Sequence, residues 1–365
     1  MMAIALSAIL VVHALIHALG FAKAFELAPA TQLTIPISRP MGLIWLAASS
    51  LLLASSVALL AAPRWFWLLA IAAATVSQVA IVASWRDARF GTALNVLTVL
   101  AGVYGAVAWG PFGLRAEYEA RVARNLPRLA QQPVLSDAEL APLPAAVQRY
   151  LRYVGVVGHP QVQGFRVRFQ GRIRSGPNAP WMTFSGEQHN FVRPPKRFFS
   201  MQARMNGLPV EALHAYDESG ARMRVKLLSL FPVVDAVGTD FTRTETVTLL
   251  NDLCIMAPAA LIEAQIRWRE LDARSVEATY SNGPHTVRAV LVFDESGALV
   301  NFWSDDRPAL SADGKTFVPQ RWSTPVGGYR SQGPFRLASR GEGRYGVATG
   351  EYAYIQFDDL VVSYD

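Results

Sequence analysis

The chain has 365 residues, enough for two domains, and its 34 Lys and Arg against 28 Asp and Glu give a net charge of +6. Most of that excess positive charge lies in two segments. Residues 1–112 contain five basic and two acidic residues, and residues 113–128 contain four basic and two acidic residues. A basic flank beside apolar segments suits lipid headgroups, so nucleic acid is excluded as a partner. The single cysteine, Cys254, excludes an intrachain disulfide and a multi-cysteine metal site.

Four apolar segments of about 20 residues, each long enough to cross the hydrocarbon core of a bilayer, fill the first part of the chain. They are 3–21, 41–62, 65–85 and 92–109. Trp65, Trp67 and Trp109 lie near their ends, where aromatic side chains anchor spans at the interface. The sequence predicts a four-helix transmembrane region over 1–112, with the lipid bilayer as its partner.

The first span and the orientation each allow two interpretations. Ala28-Pro29-Ala30 resembles a signal-peptide cleavage site, but no Lys or Arg precedes the apolar run and three further spans follow, which favours an uncleaved span. Four spans place both termini on one side. Five Lys and Arg near the spans lie on that side and four on the other, so the positive-inside rule does not orient the chain.

His13 and His17 are four residues apart in the first span and share one helical face. Ionisable residues inside a membrane are candidates for function, and two imidazoles at this spacing suit a metal or a haem. The alternative is that both are neutral and hydrogen-bond to neighbouring helices. The other spans contain no acidic residue or third histidine. No cofactor is therefore predicted, and His13 and His17 remain weak metal candidates.

A basic juxtamembrane linker is expected over 113–135, with Arg115, Arg121, Arg124 and Arg128, and a soluble domain over 136–365. Ser136 and Glu139 form a capping-box pattern ahead of a helix. Pro142 and Pro144 confine that helix to the residues after them, and Gly155 ends it.

From residue 162 the hydrophobic period changes to two, which predicts strands. Asp217-Glu218-Ser219-Gly220 and Asp294-Glu295-Ser296-Gly297 fit hairpin turns, and Asp313-Gly314-Lys315 fits another turn. The connections are too short for parallel crossovers. We expect an antiparallel meander of about ten strands, covering 162–170, 181–192, 197–205, 209–216, 222–228, 276–280, 286–293, 299–303, 317–323, 335–345 and 352–364.

One helix is expected inside this meander, over 242–256, as a capped amphipathic helix that ends before Pro258. Cys254 lies within it and is predicted to be a core residue rather than a nucleophile. A curved sheet around a helix either has a filled core or keeps a ligand cavity.

The most distinctive polar pattern is an arginine stripe at alternate positions of the first strand, Arg166, Arg168, Arg172 and Arg174. Such a stripe is most often a solvated strand face, and its alternative role is binding lipid headgroups or an anionic ligand. Glu187 and His189 share a strand face, as an acid–base pair or simply as part of an exposed polar face. No catalytic signature appears, so the sequence leaves enzymatic activity undecided and favours a non-enzymatic protein.

Several stretches resemble an uncharacterised family of bacterial membrane-anchored proteins: His13-Ala14-Leu15-Ile16-His17 with Gly20-Phe21, residues 143–151, residues 245–250 with Pro258 and Trp268, and Gly350-Glu351-Tyr352-Ala353-Tyr354. The resemblance covers most of 136–365 and part of the first span, and it implies no established activity. More loosely, the expected domain resembles the half-barrel of lipoprotein-localisation carriers, which implies a site for acyl chains. Its four spans distinguish this chain from those soluble carriers.

The sequence therefore predicts a multi-domain protein of the bacterial inner membrane. An all-α transmembrane four-helix region precedes a mainly antiparallel β domain, a curved sheet or half-barrel with one covering helix. The leading functional hypothesis is a tethered domain that binds a lipid or a lipoprotein acyl chain. The alternatives are an interaction module with a filled core, serving a membrane complex, and a membrane enzyme with a metal or haem at His13 and His17.

Overall fold

The computed structural model describes residues 2–126, 132–311, 316–348 and 350–364. The expected linker residue Arg128 and the expected turn Asp313-Gly314-Lys315 lie outside the described residues. The chain divides into two compact units, Met1–Glu117 and Tyr118–Asp365.

The first unit is helical. Its helices are α1 (Met2–Ala24), α2 (Arg39–Ala61), α3 (Pro63–Ala83), the single-turn α4 (Trp85–Ala88) and α5 (Gly91–Ala108). The four long ones are apolar and long enough to cross a membrane, as predicted. Pro63 opens α3, where its missing N–H costs no helical hydrogen bond. Phe66 is buried in a cluster that includes Ala58, Ala70 and Ala73, and the buried Trp45 ring lies against Gly20, so small residues let the helices approach closely.

Helix α6 (Leu114–Asn125) lies where the sequence suggested a linker, and the boundary between the units falls within it. Its second half packs on the β unit. The Tyr118 hydroxyl lies 2.7 Å from His189 Nδ1, and Arg121 Nη1 lies 2.7 Å from Asp217 Oδ2. The basic residue Arg121 is thus an ion-pair partner inside the second unit.

The second unit opens with a 3₁₀ turn (Asp137–Leu140) and α7 (Ala145–Val154). The predicted capping box between Ser136 and Glu139 is present, and Gly155 ends α7 with a positive φ of 85°. The strands are β1 (Gly164–Ile173), β2 (Met182–Phe191), β3 (Lys196–Met205), β4 (Leu208–Asp217), β5 (Gly220–Leu227), β6 (Phe231–Val237), β7 (Ile266–Asp272), β8 (Ser275–Asn282), β9 (His285–Phe293), β10 (Leu299–Ser304), β11 (Ala309–Leu310), β12 (Phe317–Val318), β13 (Trp322–Ser323), β14 (Val326–Gly327), β15 (Arg330–Gln332), β16 (Phe335–Leu337), β17 (Arg340–Val347) and β18 (Gly350–Tyr364).

Fourteen of these strands form one open antiparallel sheet, in the order β6-β5-β4-β3-β2-β1-β18-β17-β13-β10-β9-β8-β7, with β14 beside β17. Two meanders are joined where β1 pairs with β18, and β6 and β7 are the two edges. The predicted antiparallel class is confirmed. The sheet has more strands than expected, because the sequence pattern missed β6 and β7 and merged short strands such as β12 and β13.

Helix α8 (Thr239–Met256) and a 3₁₀ turn (Pro258–Ile262) connect the two edge strands. The helix begins three residues before Thr242, so the predicted cap there is wrong. The Thr242 hydroxyl instead donates to Gly238 O and accepts from the Ala221 N–H. Most of the helix is buried, so it is not amphipathic in the sense of having a solvent face. Cys254 is buried within it, as predicted.

Candidate functional site

A cavity of about 440 Å³ lies between α8 and the face of the sheet turned toward it, here called the inner face. The helix lines it at Phe241, Glu245, Thr248, Asp252 and Ile255. These positions are three or four residues apart and form one stripe along the helix. Of the two arrangements that the sequence left open, a filled core or a cavity, the β unit therefore has the cavity.

The walls of the cavity are mostly apolar. Strands β1 and β3–β6 contribute inward side chains at alternate positions, among them Phe169, Phe199, Met201, Val210 and Val225. Several of these strands reach the cavity near the end of the sheet that carries the β3–β4 and β5–β6 turns. The size and the apolar walls suit a small ligand or an alkyl chain.

A buried chain of polar side chains lines one region of this cavity. Arg197 Nε donates to Asp252 Oδ2 at 2.8 Å, and both side chains are at most 10% exposed. Asp252 also accepts from the amides of Gln188 and Asn190. Burial raises the pKa of Asp252, against the opposing effect of Arg197 and the two amides.

Arg197 also fixes the tautomer of a buried histidine. Its Nη1 lies 2.9 Å from His214 Nδ1. A guanidinium only donates hydrogen bonds, so Nδ1 is the acceptor and the proton of the neutral ring is on Nε2. Burial lowers the pKa of His214 to about 4, with Arg197 and Arg307 acting in the same direction and Glu245 opposing. His214 is therefore neutral at physiological pH.

Glu245 faces this histidine from α8. Its Oε2 lies 3.4 Å from His214 Nε2. Within the described part of the chain neither atom makes a hydrogen bond, although both residues are more than 90% buried. Burial alone raises the pKa of Glu245, but the positive charges of Arg307 and Arg197 and the proximity of His214 hold it below its usual value. Glu245 is thus a carboxylate.

Arg307 closes the chain of contacts. Its Nη2 donates to Glu245 Oε1 at 3.2 Å, its Nε to Thr248 Oγ1 at 2.8 Å, and its Nη1 to the Tyr345 hydroxyl at 2.6 Å. Its guanidinium carbon lies 4.3 Å from the centre of the Trp322 ring. Two arginines thus balance two carboxylates around a neutral histidine.

The predicted arginine stripe lies mainly on the opposite, outer face of the sheet. Arg166 pairs with Glu187 at 2.7 Å, and Arg172 lies 4.0 Å from Asp358. Arg168 is exposed on the same face. Among the four, Arg174 lines the cavity, and its Nε donates to Ala353 O at 2.8 Å.

The histidines of the first span lie in the helical unit. His17 Nε2 is 2.9 Å from the Ser77 hydroxyl of α3, and His17 Nδ1 is 3.1 Å from His13 O. The His13 ring nitrogens have no hydrogen-bond partner among the described residues. In that same part of the chain, no cluster of three or more His, Cys, Asp or Glu residues could hold a metal ion.

A larger groove of about 930 Å³ also lies in the helical unit, lined mainly by α3 and α5. This groove is open to the surface of these apolar helices and is lined by exposed side chains such as Val79, Val82 and Leu100. We therefore place the candidate site in the smaller and less open cavity of the β unit.

Sequence reasoning missed the buried polar residues of this cavity. A signal for them exists in α8, where Glu245, Thr248 and Asp252 repeat at helical spacing and so share one face of the helix. In β4, His214 continues the inward series of Val210 and Ala212. A titratable residue at an inward strand position is a stronger signal than a stripe of outward arginines.

Comparisons with known proteins place the β unit in a family. Among solved structures, the chain is similar to a DUF1329 family protein from Desulfovibrio piger, at 13% identity and a TM-score of 0.36, over 60% of this chain and 92% of that one. It is also similar to a LolA superfamily protein from Nitrosomonas europaea, at 11% identity and a TM-score of 0.29, over 60% of this chain and 90% of that one. No curated protein matches the sequence. A family model matches residues 133–357, more than half of the chain, and the protein therefore belongs to the family of unknown function DUF6544.

Proposed function

We propose that the β unit is a lipid-binding domain that holds an acyl chain in the cavity between α8 and the inner face. The observation that carries the proposal is the cavity of about 440 Å³ with mostly apolar walls. This volume lies in the range of roughly 300–1,000 Å³ that is usual for ligand sites. Each methylene transferred from water into it contributes about 0.8 kcal/mol.

Exposed apolar side chains at one end of the sheet support the same function. Met205 and Leu208 are 39% and 44% exposed in the β3–β4 turn, and Leu230 and Phe231 are 43% and 58% exposed beside the β5–β6 turn. The cavity walls Val210 and Val225 belong to the strands that these turns connect. We propose this end as the mouth through which lipid enters.

Within this proposal the four apolar helices tether the domain as a multi-pass protein of the bacterial inner membrane. Arg174 lies at the end of β1 that points toward the mouth and is our candidate for contact with a lipid headgroup. Headgroup binding by Arg166, Arg168 and Arg172 stays a prediction. The hollow interior favours a ligand over the alternative of a structural module with a filled core.

The test uses the full chain in detergent. Lipid is extracted and identified by mass spectrometry, and binding of a fluorescent palmitoyl probe is titrated. Ala212→Phe fills the cavity from β4 and is expected to weaken probe binding at least about tenfold, since lost burial of two methylenes suffices for that factor. Val237→Phe adds similar bulk at a side chain that is 67% exposed and serves as the control.

Two outcomes contradict the proposal. One is a purified chain that carries no lipid and binds neither palmitoyl nor phospholipid probes. The other is an Ala212→Phe variant that keeps the circular dichroism of the parent and binds the probe equally well.

A further inference from the structure

We infer that the mouth of the cavity docks on the surface of a bilayer and inserts apolar side chains from two hairpin turns among anionic lipid headgroups. This inference rests on the proposed function and names the partner of the mouth. The inserting residues, here called the apolar rim, are Met205 and Leu208 of the β3–β4 turn and Leu230 and Phe231 beside the β5–β6 turn. Their side chains are between 39% and 58% exposed.

The two turns form one continuous edge of the sheet. Strand β4 pairs with β3 on one side and with β5 on the other, and the Leu228 N–H donates to Pro209 O at 2.8 Å between the two turns. Val210 and Val225, which line the cavity, lie in β4 and β5 close to these turns. A partner that covers the apolar rim therefore also covers the proposed mouth.

The β5–β6 turn has a burial pattern opposite to the one expected in water. Its polar residue, Ser229, is 7% exposed, whereas Leu230 and Phe231 are 43% and 58% exposed. Leu228 and Ser229 also have positive φ angles of 55° and 59°, a conformation that costs free energy in residues with a β-carbon. The chain thus keeps a strained turn that presents apolar side chains outward, and burial of those side chains in a bilayer would offset the strain.

Basic residues flank the apolar rim. Segments 174–182, 201–210 and 224–234 form three neighbouring turns with their strand ends, and they contain four basic residues and no Asp or Glu. The basic residues are Arg174, Arg204, Arg224 and Lys226. The next carboxylates along these strands are Glu211, which is buried, and Asp235, which is already ion-paired. Anionic headgroups match the positive charge of this edge.

The β1–β2 turn extends the edge with an aromatic residue suited to a membrane interface. The Arg174 guanidinium carbon lies 4.5 Å from the centre of the Trp181 ring, and Arg174 also lines the cavity. Tryptophan and arginine both combine an apolar body with a polar tip, so both are favoured at the level of the headgroups. The apolar rim and this pair therefore suit neighbouring depths of one interface.

A second copy of the chain is a poorer partner for the same edge. In a two-fold contact the same surface meets itself, so the basic residues of one copy would face those of the other without carboxylates to pair with them. The turn at the opposite end of β4 contains Asp217 and Glu218, but these carboxylates pair with Arg121 and Lys196 of their own chain. A bilayer supplies both the apolar depth and the negative charge that this edge requires.

The experiment places an environment-sensitive NBD fluorophore on the apolar rim of the full chain. Leu230→Cys carries the label, and Val237→Cys, at an exposed position on the opposite end of β6, carries it in the matched control. Cys254, the only cysteine in the sequence, is 0% exposed and stays unlabelled. The protein is placed in nanodiscs of phosphatidylcholine and phosphatidylglycerol that include lipids with a doxyl quencher. We expect quenching of the label at position 230 and none at position 237.

Three substitutions in the labelled Leu230→Cys chain separate the apolar and the charged contributions. Phe231→Ser is expected to lower the ratio of docked to undocked chains about tenfold, less than the full transfer of a phenylalanine side chain from water provides. Val237→Ser should leave that ratio unchanged. Arg204→Gln should reduce the gain in quenching that phosphatidylglycerol produces over phosphatidylcholine alone. All three side chains are exposed, so the circular dichroism should match that of the parent.

Equal quenching at positions 230 and 237, or none at position 230, overturns the inference. A blue-shifted emission at position 230 without doxyl quenching overturns it as well, because the label then lies in the cavity or against protein, a second copy included. Binding of the palmitoyl probe to the same chain in detergent tests the proposed function separately. Probe binding without quenching removes the docking alone, and quenching without probe binding contradicts the acyl-chain site and leaves the docking surface.

Discussion

On the outer face of the sheet, arginines pair with carboxylates at the boundary with water, whereas on the inner face two such pairs are buried beside an apolar cavity. The Arg222 and Asp235 side chains on the outer face are 50% and 45% exposed. Those of Arg197 and Asp252 on the inner face are 10% and 4% exposed. Both pairs have contacts below 3 Å, so distance does not distinguish them.

The difference lies in desolvation. An exposed pair contributes little, because water screens the charges and the long side chains lose rotational freedom. A buried pair removes both ions from water, so removing one partner leaves a charge that nothing compensates. The inner cluster is therefore a costly arrangement for which a function is the simplest explanation, while the outer arginines keep a strand face soluble.

The largest expected effect comes from Asp252→Ala, which leaves Arg197 buried without its carboxylate. We expect the free energy of unfolding of β2–β4 to fall by about 3–5 kcal/mol, measured by hydrogen exchange with mass spectrometry on the full chain. Asp235→Ala removes the matching carboxylate from the outer face and is expected to cost less than about 1 kcal/mol. Equal costs for the two variants would show that the inner pair is not desolvated.

A smaller effect is expected from pH. The His214 pKa of about 4 lies below the ordinary 6.5. Between these two pH values the His214 ring is therefore protonated in the unfolded chain and neutral in the folded chain. The free energy of unfolding should therefore fall as the pH drops from 6.5 to 4, by on the order of 3 kcal/mol from this group. His214→Gln removes this contribution, while Glu245 and Asp252 still titrate. Hydrogen exchange gives the free energy of unfolding of the parent and of the variant between pH 4 and 7. The same pH dependence in both would contradict a buried neutral His214.

Much of the fold could be predicted because its signals are local. The four apolar helices, the capping box at Ser136 and the period-two strands each follow from neighbouring residues. The glycines of the two Asp-Glu-Ser-Gly turns have positive φ, 101° at Gly220 and 89° at Gly297. Strands β12 and β13 are two residues each, too short for an alternating pattern to define.

The candidate site was not predicted because it is assembled from distant segments. Arg197, His214, Glu245 and Arg307 lie on β3, β4, α8 and the chain after β10, and no pair of them has a spacing typical of a motif. The predicted helix began at Thr242, which placed Glu245 in its first turn. The observed helix begins at Thr239, so Glu245 lies further inside it. The arginine stripe was visible because its members alternate along one short segment, and alternate strand positions place Arg166, Arg168 and Arg172 on the same, outer face.

The smallest expected effect tests the outer face. Arg172 and Asp358 are 4.0 Å apart, with side chains 47% and 59% exposed. Arg172→Gln should change the free energy of unfolding by less than about 0.5 kcal/mol and leave binding of the palmitoyl probe unchanged. The same exchange and titration measurements apply. A tenfold loss of probe binding in Arg172→Gln would mean that the outer face contributes to the lipid site, and the division between a solvated face and a ligand-binding face would then be wrong.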